Sequence, residues 1–232
     1  MNIIQEYLNY LSESDIVDFN LKKYIENKII PLYKKFDYAH DPSHVREVID
    51  FSLELQKLIK GTNINIVYTV SAYHDLGLKK HRKIHHEISG KIVRYDKKLL
   101  TWFTPDEIEI IAEACEDHRA SSKKPPRSIY GKIIADSDKC GVSIEKLLKR
   151  TWLYRVSDPK YNKLNDEEIF NDMYRHLSVK YGKGGYAKFL LPETLKLLGK
   201  EINRTKRILS SREETYKIFL KMRENGELKK GF

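Results

Sequence analysis

The sequence predicts an all-α protein, on three observations. Gly (11) and Pro (7) are few in 232 residues, together about 8 % against a usual ~12 %, so turn formers are scarce. Apolar residues recur mostly at helical period. Helix-start signals punctuate the chain at Asp41-Pro42, at Thr104-Pro105-Asp106-Glu107 and at Ser211 with Glu214.

The elements follow in order. Residues 1–30 predict two helices, the first with Ile4, Tyr7, Leu8 and Leu11 on one face. Asp41 as N-cap and Pro42 at the first helical position open a helix that ends near Lys60, with Val45, Val48, Ile49, Leu53 and Leu55 roughly in period. Residues 64–76 are strand-like in composition (Ile66, Val67, Tyr68, Val70), but length, context and the closing Gly77 predict a buried helix. A helix over about 85–96 follows. Thr104, Pro105 and Glu107 start the next, which places Ile108, Ile111, Ala112 and Cys115 on one face and runs to about His118. After a basic loop from Arg119 to Arg127, helices are expected over 128–139, 143–155, 166–181, 193–208 and 212–224, with a Ser211/Glu214 capping box opening the last. The glycine-rich stretch Lys180–Tyr186 lacks the preceding strand and the spacing of a phosphate-binding loop and reads as a turn. The chain reads as one domain over 1–232, with a core over about 30–160 and a C-terminal helical extension over about 161–232.

Composition narrows the function classes. Hydrophobic residues at 41 % exclude global disorder. A net charge of +10 admits nucleic acid, anionic membrane or small anionic substrates as partners. No run approaches the ~20 apolar residues that span a bilayer, so no membrane partner is expected. The first residues lack a basic stretch followed by an apolar core, and Cys115 and Cys140 are too few for a disulfide scaffold; a cytoplasmic setting is expected. No recognised nucleic-acid motif is present, which makes nucleic acid a disfavoured partner, and the sequence sets no oligomeric state.

The chemistry concentrates in the histidines. Seven of the eight lie between His40 and His118. His44 falls in the first turn of one helix, His74-Asp75 at the end of the next, His85-His86 at the start of a third and His118 at the end of a fourth, while Asp136 and Asp138 sit in the apolar frame Ile133-Ile134-Ala135-Asp136-Ser137-Asp138. Imidazole and carboxylate are the ligands that borderline and hard divalent cations prefer. Adjacent side chains on a helix diverge by about 100°, so both members of a His-Asp doublet reach one centre only near a helix end, with the carboxylate bridging two ions. Basic residues nearby would complete an anion pocket: Lys79, Lys80 and Arg82 after the doublet, and Arg119, Lys123, Lys124 and Arg127 after His118. Arg119 and Arg127 rank first because arginine grips phosphate in two-point fashion. His40, His81 and His176 read as surface or structural residues, Cys115 as packing, and Tyr73 and Tyr130 as core.

The ordered set resembles the HD superfamily of metal-dependent phosphohydrolases. Asp41-Pro42-Ser43-His44-Val45-Arg46 resembles the family's first ligand helix, Ala72-Tyr73-His74-Asp75-Leu76-Gly77 its naming doublet, and Ala135-Asp136-Ser137-Asp138-Lys139 its closing Ala-Asp-Lys segment. His86-Glu87-Ile88-Ser89-Gly90 and Glu116-Asp117-His118 sit where six-ligand members place two more histidines. The likeness covers roughly residues 40–190 and is greatest to bacterial members without an assigned activity. It implies an all-α helical bundle with additional C-terminal helices and a site for one or two divalent cations (Mn, Fe, Mg, Zn, Ni or Co). His44, His74, Asp75 and Asp138 would hold one ion, and Asp75 would bridge to a second completed by His86 and His118. His-to-Gly spacing favours His86 over His85, and the Asp-Lys ending favours Asp138 over Asp136. The implied activity is hydrolysis of a phosphate ester or anhydride in a nucleotide or other small phosphorylated molecule by a metal-activated water, with Asp75 catalytic and Arg119, Arg127, Lys79, Lys80 and Lys124 as substrate-binding candidates. The chain departs from some members: residues 78–80 are Leu-Lys-Lys where guanosine tetraphosphate hydrolases carry Glu-Asp, and the Gly-Tyr-Pro signature of cyclic-dinucleotide phosphodiesterases is missing. Two alternatives share the ligand set: a di-iron oxygenase, and a non-catalytic protein that binds nucleotide or nucleic acid.

Overall fold

The computed structural model describes residues 16–37 and 39–229, so the expected helix face of Ile4, Tyr7, Leu8 and Leu11 lies outside the described residues. Among those residues are ten α-helices and no strand. Helix α1 (Phe19–Tyr24) is capped by Asp18, whose carboxylate accepts from Leu21 N. The chain then runs through a wide π turn (Ile25–Ile29) and a tight 3-10 turn (Ile30–Lys35), keeping Leu21, Ile25, Ile29, Ile30 and Tyr33 buried. Helix α2 (Pro42–Leu58) starts as its sequence dictates, with Asp41 accepting from Ser43 N at 2.9 Å and His44 N at 3.1 Å. The segment of strand-like composition is helix α3 (Ile64–Tyr73), buried at every position but Asn65. Burial on all sides explains the β-branched run, because a central helix has no polar face to show. Helices α4 (His85–Tyr95), α5 (Pro105–Asp117) and α6 (Ile129–Ser137) complete the first layer, and α3 packs against α2, α5 and α6.

A second layer holds α7 (Ile144–Ser157), α8 (Asp166–Tyr181), α9 (Pro192–Leu209) and α10 (Arg212–Glu224). Its core contains an aromatic cluster. Phe170 meets Tyr216 at 4.7 Å and Phe219 at 5.1 Å between ring centroids, and Trp152 meets Phe219 at 5.5 Å. Each such pair adds about 0.5–1.5 kcal/mol beyond its buried area. Apolar packing changes hands between Ile134 and Val142, so α7, which the sequence reading groups with a core reaching 160, packs with the C-terminal helices.

The layers are joined by a small cluster of Phe51, Leu55, Val67, Ile133 and Leu191, and by one carboxylate. Asp136 is fully buried and accepts from Leu190 N (2.9 Å), Leu191 N (3.0 Å) and Thr194 Oγ1 (2.7 Å). Leu191 stands in the N-cap position of α9 and has no side-chain acceptor, so Asp136 supplies from α6 the cap that α9 lacks.

Cap chemistry departs from expectation at one end. Thr104 and Glu107 form both halves of their box. Ser211 accepts from Glu214 N at 3.2 Å, but the Glu214 carboxylate accepts from Arg207 at 2.8 Å instead of returning to Ser211. A full box that the sequence reading missed, Asn165 with Glu168, opens α8. The Lys180–Tyr186 segment is a turn, with Gly184 at φ +78° and Ala187 N donating to Lys180 O at 2.9 Å. No described helix is long and apolar enough to cross a membrane.

Candidate metal centre

Five helix ends of the first layer converge. His44 comes from the first turn of α2, His74 and Asp75 from the end of α3, His85 from the start of α4, His118 from the end of α5 and Asp138 from the end of α6. Two donor groups result: His44, His74, Asp75 and Asp138, and Asp75, His85 and His118, each with ligand atoms within 4.8 Å of one another.

Asp75 belongs to both, through different oxygens. Its Oδ2 faces His74 Nε2 at 3.3 Å and His44 Nε2 at 4.0 Å, while its Oδ1 faces His85 Nε2 at 3.3 Å and His118 Nε2 at 3.4 Å. Asp138 Oδ1 closes the first group, 3.2 Å from His44 Nε2 and 3.9 Å from His74 Nε2.

The imidazoles are oriented by local backbone. His74 Nδ1 donates to Ser71 O (2.8 Å), His85 Nδ1 to Arg82 O (2.8 Å) and His118 Nδ1 to Cys115 O (2.6 Å). A carbonyl only accepts, so each Nδ1 carries a proton, and Nε2 is the ring nitrogen turned inward. Outer partners of this kind commonly fix metal-binding histidines. Two observations then fit a cation. His85 Nε2 and His118 Nε2 stand 3.0 Å apart and lie 3.3 and 3.4 Å from Asp75 Oδ1, three donor atoms around one point. His74 Nε2 is buried with no hydrogen-bond partner.

The electrostatics agree. Burial, and after it Arg150, push His44 down to about 4 despite Asp138. Burial and then His118 push His85 down to about 4. Both rings are therefore neutral near pH 7. At His74 burial works downward, but Asp75 and Asp138 outweigh it and raise the group to about 9. Without a cation, a proton on His74 stands in for one. Burial works to raise both carboxyls. His74 and His118 nevertheless hold Asp75 well below the usual carboxylate range, and His44 does the same for Asp138.

Of the residues read from sequence as ligands, the structure brings together His44, His74, Asp75, His118 and Asp138. His86 is a correction: its neighbour His85 faces Asp75, while His86 Nε2 lies 3.9 Å from Glu87 and its Nδ1 is buried without a partner. The reason is Gly77. A Cβ there would run into the carbonyl of His85, so the doublet's loop lies flat on the first turn of α4 and turns His85, not His86, towards Asp75. Asp136 is spent on α9 and is not in either donor group.

A cavity of about 390 Å³ opens on Asp75, His85, His118 and Asp138. Of the expected anion contacts, Arg82 and Arg119 line it, the Arg119 guanidinium anchored on Lys83 O at 2.6 Å. The others are corrections. Arg127 is consumed by Glu113 (3.0 Å), Glu116 (2.7 Å) and Asp117 (3.0 Å), pinning its loop to α5. Lys79 is exposed and outside this cavity, Lys80 borders a separate one with Ile88 and Tyr95, and Lys124 lines a shallow one beside Pro125 and Lys188. Sequence reasoning missed Arg150, Lys180 and Tyr186, and set aside His40 and His176; all five line the cavity.

Residues 43–142 match the family model of the HD domain, from the residue before His44 to just beyond Asp138. This stretch of the chain is an HD domain. The match covers α2 to α6, so the HD domain supplies every residue of the two donor groups, and α7 to α10 lie outside it. Comparison with curated proteins and with solved structures gives no match.

Proposed function

We propose that this HD-domain protein is a metal-dependent phosphohydrolase that cleaves a phosphate ester or anhydride in a small molecule, a nucleotide being the class that suits the cavity. The observation that carries this reading is the division of Asp75, one oxygen towards each donor group, the arrangement that lets a carboxylate serve two cations. When bound, the cations would supply the charge that stabilises a phosphate and the acidity that makes water a usable nucleophile near neutral pH.

The chain's own groups prepare that chemistry. His44 and His85 stay neutral near pH 7, so each can offer a ring nitrogen to a cation. Asp75 and Asp138 stay ionised. Arg119 and Lys83 wall the cavity beside His118 and are suited to phosphate oxygens. A basic cavity over the donor groups suits an anionic substrate.

The test is metal content and product release side by side. Wild-type protein should hold one to two transition-metal ions per chain and release phosphate from nucleotides and generic phosphoesters. Asp75→Ala should lose metal and slow phosphate release by on the order of a thousandfold. Undiminished hydrolysis by Asp75→Ala, or oxygen uptake without phosphate release, would overturn the proposal.

A further inference from the structure

The cavity over the donor groups continues outward. A second cavity of about 580 Å³, walled by Tyr154, Tyr161 and Arg175 among others, adjoins it. The two share His40, Arg82, Arg150, His176, Lys180 and Tyr186, which form the neck between them.

Most charges at this neck are accounted for. Arg82 pairs with Asp37 at 2.8 Å and lies 4.6 Å over the Tyr154 ring. His40 pairs with the same Asp37 at 2.7 Å. In the outer cavity Arg155 pairs with Asp172 at 2.8 Å, and Tyr161 donates to that carboxylate at 3.0 Å. Arg150 and Lys180 are different. Neither has a carboxylate within ion-pair distance among the described residues, and the Lys180 ammonium rests 5.1 Å over the Tyr181 ring. Burial and Arg150 work to strip the Lys180 proton, but Tyr181, Asp138 and Tyr186 outweigh them and the group stays cationic. Two half-buried cations therefore share one neck with no ion-pair contact among the described residues, an arrangement that a bound anion stabilises.

On the phosphohydrolase reading above, we propose that Arg150 and Lys180 form a second anion subsite that holds a non-reacting phosphate of the substrate, so that the preferred substrate carries two separated phosphate groups. One phosphate lies over Asp75 and Asp138 beside Arg119; the other lies at the neck; the body of the molecule extends into the outer cavity. Arg150 is on α7 and Lys180 on α8, both beyond residue 142 where the HD match ends. The C-terminal helices thus set selectivity for a centre that the HD domain builds.

The experiment is titration calorimetry on manganese-loaded protein, comparing methylphosphonate with alkane bisphosphonates of increasing chain length. At least one bisphosphonate should bind about tenfold or more tighter than methylphosphonate, the gain expected of a second charge-assisted contact. Arg150→Gln and Lys180→Gln should each bring that ratio towards unity, and Arg150→Lys should restore part of it. In metal-free protein, inorganic phosphate should bind weakly, and Arg150→Gln should weaken it further. A wild-type ratio near unity at every chain length, or a ratio that both glutamine variants leave intact, would overturn the subsite. The two readings fail separately. Hydrolysis with a ratio near unity removes the subsite alone. A retained ratio, or retained phosphate binding to the metal-free chain, in a protein that hydrolyses nothing removes the hydrolase reading alone.

Discussion

The two helical layers handle polar groups in opposite ways. In the first, every inward-facing histidine or carboxylate of the donor groups has a neighbour of opposite character within about 4 Å, and three imidazoles are fixed by the carbonyl three residues before them. In the second, the residues that reach the same cavity, Arg150, His176 and Lys180, come from different turns of α7 and α8 and have no ion-pair partner among the described residues. The first layer is arranged to hold cations and the second to face an anion. A site for a phosphorylated molecule needs both; the first layer already sets Arg119 and Lys83 beside its donor groups, and docking adds Arg150 and Lys180.

That docking is the place to break the comparison. Asp136 satisfies two backbone N–H groups and one hydroxyl at the start of α9. Asp136→Ala leaves them unpaired and takes from buried Lys139 its ion-pair partner at 3.5 Å. The expected loss is about 3–5 kcal/mol, read as a fall in Tm or in urea midpoint. Because no donor-group residue is touched, folded variant should still take up metal.

A smaller effect separates adjacent histidines within the first layer. His85→Ala should weaken metal binding about 10–100-fold, by competition with a chelating dye, whereas His86→Ala should leave it within about twofold. An inverted result would mean that α4 turns the other way in solution.

The pH dependence has a definite sign. His74 sits at about 9 in the metal-free fold, above its usual 6.5. Its proton therefore stabilises the metal-free protein fully below 6.5, and that contribution is lost as pH rises towards 9. A metal ion must displace this proton, while His44 and His85, at about 4, offer no competition near neutrality. Metal affinity should climb by roughly tenfold per pH unit between about 7 and 9 and then level off, with about one proton released per chain. Calorimetry in buffers of different ionisation enthalpy measures that release.

The smallest effect compares caps in the two layers. Thr104→Ala removes the hydroxyl that accepts from Glu107 N and should cost about 1 kcal/mol. Glu214→Ala should cost about 0.5 kcal/mol or less, because its carboxylate serves only an exposed pair with Arg207.

The sequence by itself determined the all-α class, the order of the helices, and five of the six residues that converge at the centre. These were legible because the signals are short-range: Asp41 and Thr104 cap the helix they precede, and His74 and His118 are aimed by a carbonyl within one turn. Only the tertiary structure decided between His85 and His86, and gave Asp136 and Asp138 their separate uses. Such neighbours differ merely in the direction they face, and that direction is set by Gly77 lying against α4 and by α9 needing a cap. Arg127 looks free in the sequence because the carboxylates that take it lie across a proline-containing loop. Arg150 and Lys180 carry no local mark, since an unpaired cation on a helix reads as an ordinary solvated residue until packing turns it towards Asp138.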